Sequence, residues 1–275
     1  MTLSASPPAS PGPPAFGPIA PLATARVLTR LAWARTGSPA LIAGIAALML
    51  VPMLFALVFA SRGILSGDPV AFLANRYDQL IGGLATPLIA LLLGTSAFSA
   101  ETDDGTLLYL VTTTTPRWWI VAVRVLFASV LTGVLSALAV WGTGVIAAGT
   151  SDPEGITTAY TVAVFYGGVT YAALFTALAL LTRRALLSGL VYVLFWEGTL
   201  STTFPALHFL SVRAWMQAVA HSLTEAAGDA GGNAVGAAVG PSAPYALVAS
   251  VVLVLVTVYI GGRRLHRPRI ARVGT

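Results

Sequence analysis

Carboxylates are scarce in this chain, so their placement carries information. Ten acidic residues stand among 275, and three of them, Glu101, Asp103 and Asp104, fall within four positions. They precede Gly105-Thr106, a short apolar stretch containing Leu107, Leu108 and Leu110, and an exit at Pro116-Arg117. The chemistry open to such a block is electrostatic docking. Asp103, Asp104 or Thr106 can cap a short helix, and carboxylates at its start are favoured by about 0.3–1 kcal/mol through the helix dipole. Gly105 permits the turn into it. Pro116 ends it, because the residue before a proline avoids the helical region. Spacing alone leaves two readings open: a rigid lever gripped from the water side, and an ordinary amphipathic loop helix.

Catalytic constellations are missing. His208, His221 and His266 have no partners at metal-ligand spacing, and no serine–histidine–acid set can be argued from their order. Cysteine is absent, which removes disulfides, thiolate metal sites and a cysteine nucleophile. All fifteen basic residues are arginine. A phosphate-binding loop needs its lysine, so the sequence predicts neither an ATP site nor Schiff-base chemistry in this chain. Glu197 stands apart from the other acids because it sits inside an apolar run. It could line a pathway, hydrogen-bond a neighbouring tyrosine or tryptophan, or anchor the segment that follows.

The elements that position these residues are membrane helices. Charged residues make up 9% and hydrophobic residues 56% of the chain, with a mean hydropathy of +0.84. Soluble domains carry about 25% charge. A helix needs roughly 20 apolar residues to cross a bilayer core, and six runs qualify: 40–61, 79–100, 124–149, 158–182, 185–204 and 244–262. The predicted class is therefore an all-α integral membrane protein with six transmembrane helices. A short polar-edged helix is expected between spans two and three, and an outer helical segment between spans five and six. Pro87 falls inside the second run, where neighbouring helices can absorb its missing hydrogen bond. Thr182, Arg183 and Arg184 make a tight hairpin between the fourth and fifth.

Arginine asymmetry orients the bundle. Twelve arginines fall on the side holding both termini and the acidic block, and Arg62, Arg76 and Arg213 fall on the other. By the positive-inside rule both termini of this multi-pass protein are cytoplasmic. The net charge of +5 reflects this topology. Nucleic-acid binding is not expected, since no basic domain with interleaved aromatics lies outside the spans.

Residues 1–25 are uncharged and rich in proline, alanine and serine, which predicts a disordered cytoplasmic tail without a cleavable leader. Residues 26–38 form either an interfacial helix on the inner leaflet or only a charged flank. A six-span domain covers 39–263, and a basic tail covers 264–275. In the outer segment Ser211 could cap a helix with Val212, Trp215, Met216, Val219 and Leu223 at helical spacing. That stripe could rest on the leaflet or dip into the bundle mouth. Trp118, Trp119, Trp141 and Trp215 fall at expected interfacial belts. Gly82-Gly83 and Gly167-Gly168 suit close helix packing.

The block from Glu101 through Gly105-Thr106, Leu107, Leu108 and Leu110 to Pro116-Arg117 resembles the signature region of type-2 ATP-binding-cassette (ABC) permeases, the six-span subunits of bacterial exporters. A second block follows the same family's order: Thr182-Arg183-Arg184, Gly189-Leu190-Val191-Tyr192, Trp196-Glu197, and Leu210-Ser211-Val212-Arg213. Arg124 stands where the family often has lysine, which keeps the charge and alters hydrogen-bond geometry.

The resemblance implies a transport subunit of a bacterial cytoplasmic (inner) membrane that is not itself an enzyme, with the helix between spans two and three as a cytoplasmic coupling helix. It implies a coupling interface made by Glu101, Asp103, Asp104, Gly105, Thr106, Leu107, Pro116, Arg117, Thr182, Arg183 and Arg184. Partners would be a soluble ABC ATPase, which carries ATP and Mg, and a second copy or a sister permease, all within membrane lipid. No cofactor would be bound by this chain, and the cargo would be hydrophobic or amphiphilic. The competing class is a non-transporting immunity or assembly factor built on the same bundle. A proton-coupled transporter would need several intramembrane acids or histidines, and the spans offer only Glu197.

Overall fold

The computed structural model describes residues 29–30, 33, 37–61, 69–103, 117–149, 152, 155–182, 184–200, 203–223 and 240–266. Among them every regular element is helical. The expected interfacial helix over 26–38 lies largely outside these residues, as do both tails.

Helix α1 (Pro39–Ser61) is apolar all round and only lightly packed. Helix α2 (Pro69–Arg76) runs straight into a π-helical stretch (Tyr77–Ala85) and then α3 (Thr86–Asp103). Next come α4 (Arg117–Ala148) and α5 (Ile156–Leu181). Helix α6 (Ala185–Val191) continues as a second π-helical stretch (Tyr192–Leu200), and a 3-10 turn (Pro205–Leu210) follows. Helix α7 (Val212–Leu223) and helix α8 (Ala243–His266) complete the order.

Among the described residues five helices are long and apolar enough to cross a membrane: Pro39–Ser61, Pro69–Ser96, Trp118–Ala148, Ile156–Leu181 and Ala243–Arg264. The chain is thus an all-α, multi-pass membrane protein. The fifth expected run, 185–204, is helical from Ala185 to Leu200 and again at Thr203, and the Phe204 N–H donates to the Leu200 carbonyl at 3.1 Å. Its stop has a local cause. Pro205 opens the 3-10 turn and Phe204 ahead of it is extended, with φ −115° and ψ 106°, as a residue before proline prefers.

The second helix begins ten residues before the expected 79. Val70, Leu73, Ala74, Tyr77 and Ile81 recur at helical spacing and are all buried. Arg76 and Asp78 lower the mean hydropathy there without breaking that face. Pro87 is accommodated by register: Thr86 donates its N–H to the Ile81 carbonyl five residues back. This wider turn sits where an α register would press the proline ring onto the preceding turn.

Helices α4 and α5 form the centre. A side-chain carbon on Gly168 would lie 2.9 Å from the Gly133 Cα, so the two backbones touch there. Helices α3 and α5 run parallel, with Gly94 against Ala172, Phe175 and Thr176. At one end of the bundle, Gly261 of α8 packs against Val121 of α4 and Leu180 of α5. At the other end Gly144 packs against Thr157 and the Tyr77 hydroxyl. Helices α1 and α8 flank this centre and expose most of their apolar surface, as helices solvated by lipid do.

Candidate functional site

Glu197 is the most enclosed carboxylate among the described residues, at 1% exposure. Its Oε1 accepts from the Tyr192 hydroxyl at 3.0 Å and from the Val212 N–H at 3.0 Å. Its Oε2 accepts from the Ser211 hydroxyl at 2.6 Å. Ser211 Oγ in turn accepts the Ala214 N–H at 3.2 Å and so caps α7. A carboxylate at a helix start meets unpaired N–H groups and the positive end of the dipole. Tyr192 is five residues before Glu197 on the same π-helical stretch, and the wider turn brings both onto one side. Glu197 therefore ties the first turn of α7 to the end of the 185–200 helix.

A second carboxylate holds the same helix. Asp78 Oδ2 accepts from Arg213 Nη2 at 2.9 Å. Asp78 Oδ1 accepts from the Gln217 side-chain amide, one turn further along α7. Burial pushes down the proton affinity of the Arg213 guanidinium, but the Asp78 carboxylate outweighs it and holds the group above the ordinary arginine range.

Helix α7 is also seated by packing. Val212, Ala214, Trp215, Met216, Val219 and Ala220 are buried. Gly82 and Gly167 leave space that Met216 fills: a Cβ on either would lie 2.2 Å and 2.7 Å from its Cε and Sδ. Gly83 makes room for the Arg213 guanidinium at 3.2 Å. The stripe thus enters the bundle instead of resting on its surface. Trp215 departs from the expected interfacial belt for the same reason. It is 7% exposed and its indole N–H donates to the Phe209 carbonyl at 3.0 Å. Trp118 and Trp141, by contrast, are exposed on the bundle exterior.

Asp152 stands near this end and caps α5. It accepts from the N–H groups of Thr157 at 2.8 Å and Thr158 at 3.0 Å, and from the Thr158 hydroxyl at 2.6 Å. Partial burial opposes its ionisation, but these hydrogen bonds prevail and hold the carboxyl below its usual range.

The expected coupling residues are gathered differently. Asp104, Gly105, Thr106, Leu107, Pro116 and Arg183 lie outside the described residues. Glu101 and Asp103 fall in the last turn of α3, and Arg117 is the first residue of α4. The Thr182 hydroxyl donates to the Leu178 carbonyl at 2.9 Å and lies 3.2 Å from the Ser188 hydroxyl, closing the turn into α6. Arg184 is exposed in that turn. The end of α3, the start of α4, the α5–α6 turn and the end of α8 all belong to the end opposite Glu197. Among the described residues no group of histidines and acids has metal-binding geometry.

Asp78 and Gln217 were not legible as site residues in the sequence. Asp78 fell in the connection before the expected second span, and the only signal for it was the apolar periodicity from Val70 to Ile81. Gln217 carries no motif. No protein-family profile matches the chain. No curated protein matches it either.

Proposed function

We propose that this chain is the membrane subunit of an ATP-driven exporter of the type-2 ABC kind, working with a separate soluble ATPase. The supporting observation joins sequence to topology. The first block that resembles those permeases, 101–117, and the opening of the second, 182–184, flank elements that meet at one end of the bundle. Push on that end would pass directly along α3, α4 and α5, whose backbones are in contact.

In this reading the 185–204 run is the fifth of six spans, and both termini are cytoplasmic. Two such chains, or this chain and a sister, enclose the pathway. ATP closure of the partner moves the 104–116 segment and the 182–184 turn, and hydrolysis resets them. The end closed by α7 faces outward. Its weakly charged spans suit a hydrophobic or amphiphilic cargo.

The test is charge reversal at the proposed docking end, Glu101→Arg with Asp104→Arg. Two extra arginines on the cytoplasmic side agree with the positive-inside rule, so insertion is expected to survive. Co-purification of the ATPase and substrate-stimulated hydrolysis are expected to fall together. Glu154→Arg serves as the control, because Asp152 caps α5 and its reversal would disturb the fold. If the double reversal behaves as wild type in both assays, the docking assignment fails and the immunity or assembly reading takes its place.

A further inference from the structure

Both carboxylates that hold α7 stand on π-helical turns: Asp78 in Tyr77–Ala85 and Glu197 in Tyr192–Leu200. Such turns are rare in globular proteins and recur at functional sites, so two of them gripping one helix call for a cause. We propose that α7 is a gate for this end of the bundle, released when the wide turn ahead of Pro87 tightens and carries Asp78 and Gly82 away from it. The inference concerns the motion of α7 alone and does not rest on the transport reading.

The wide turn leaves its own polar groups unserved. Thr86 gives its N–H to the Ile81 carbonyl, five residues back. In that register the donor for the Gly82 carbonyl would be residue 87, and Pro87 has no N–H. The Thr86 hydroxyl is buried and meets no acceptor. Other buried threonines of the spans are satisfied. Thr95, Thr132, Thr143 and Thr176 each donate to the carbonyl four residues back, at 2.6–2.7 Å. In the α register the Thr86 N–H and hydroxyl would both reach the Gly82 carbonyl in the same way.

Against this stands the proline ring, which the α register presses onto the Gly83 carbonyl. Each register satisfies what the other leaves, as an element with two positions requires. Tightening the turn passes the extra residue upstream and rotates residues 78–82 by about 100°, one residue's share of an α turn. Asp78 then leaves Arg213 and Gln217, and Gly82 no longer offers Met216 its slot.

The second grip has a spare donor. When α7 withdraws, Glu197 loses the Ser211 hydroxyl and the Val212 N–H. The Tyr171 hydroxyl, on a fully buried side chain of α5 beside Glu197, finds no partner at hydrogen-bond distance while α7 is seated. It is placed to replace one of the two.

The chain has no cysteine, so two can be introduced on a clean background. Full-length protein in lipid nanodiscs carries spin labels at His221→Cys of α7 and Leu126→Cys of α4, both exposed. Pulsed electron–electron double resonance reads the distance between them. Two distances are expected, a seated majority and a displaced minority, and Asp78→Asn should enlarge the minority. Thr86→Val keeps the shape and deletes the hydroxyl that only the tightened turn satisfies. Read in both the wild-type and the Asp78→Asn background, it is expected to lower the displaced-to-seated ratio about threefold to tenfold. Tyr171→Phe should lower it by a similar factor, which decides the matter if Thr86→Val does not fold. A static plug gives Thr86→Val a higher unfolding midpoint and an unmoved distance distribution, and that result overturns the proposal. A single, identical distance in wild type and Asp78→Asn overturns it as well.

Discussion

The two ends of this bundle solve the problem of charge in opposite ways. At the end holding α7, Glu197 and Asp78 spend their oxygens on donors from the chain itself: Tyr192, Ser211, Val212, Arg213 and Gln217. At the other end Arg184, Arg263 and Arg264 are exposed, and the helices simply finish. One end is closed from within. The other presents these three arginines outward, while Arg124 of α4 is buried there. Burial explains the difference: a carboxylate inside apolar surroundings is tolerated only when its lone pairs are satisfied, whereas an arginine at a helix end carries its charge to water on a long apolar stem.

Glu197→Ala is expected to break the contrast most severely. It strands the Tyr192 and Ser211 hydroxyls and the Val212 N–H, and each buried unsatisfied group costs about 1–3 kcal/mol. A combined loss of about 3 kcal/mol or more should appear as a lowered unfolding midpoint in detergent, with protease access between residues 203 and 223. Glu197→Gln keeps the shape and one acceptor, so its effect should be smaller. An unchanged midpoint in the alanine variant would show that packing around Met216 alone closes this end.

The Asp78–Arg213 pair should matter less. Its side chains are 25% and 20% exposed, so solvent screens it, and a double-mutant cycle of Asp78→Ala with Arg213→Ala is expected to give a coupling of about 1 kcal/mol. Gln217 shares Asp78, so Asp78→Ala alone should cost more than Arg213→Ala alone. Equal single effects would remove Gln217 from the clamp.

The smallest effect is expected at the open end. Arg184→Gln should change stability by no more than about 0.5 kcal/mol, as exposed positions do. A large loss in the same unfolding assay would mean that this end is closed by its own contacts too, and the comparison would collapse.

Much of the fold was legible one residue at a time. Runs of valine, leucine and alanine marked the long helices, and the spacing of Val212, Trp215, Met216 and Val219 marked α7. The boundary drawn from hydropathy failed where polarity and helical spacing disagreed: Arg76 and Asp78 hid the start of the second helix. The clamp was half legible. Glu197 drew notice as an acid in an apolar run, whereas Asp78 and Gln217 are 139 positions apart and no local pattern joins them.

By itself the sequence determined the solvent of this protein and the helical state of its long apolar runs, since hydrocarbon forces every backbone group to bond within its own segment. Only the tertiary structure decided that α7 enters the bundle. That outcome depends on Gly82 and Gly167 leaving space for one methionine, and on two distant carboxylates reaching one helix end. Such complementarity is a property of packed surfaces, and no single segment carries it.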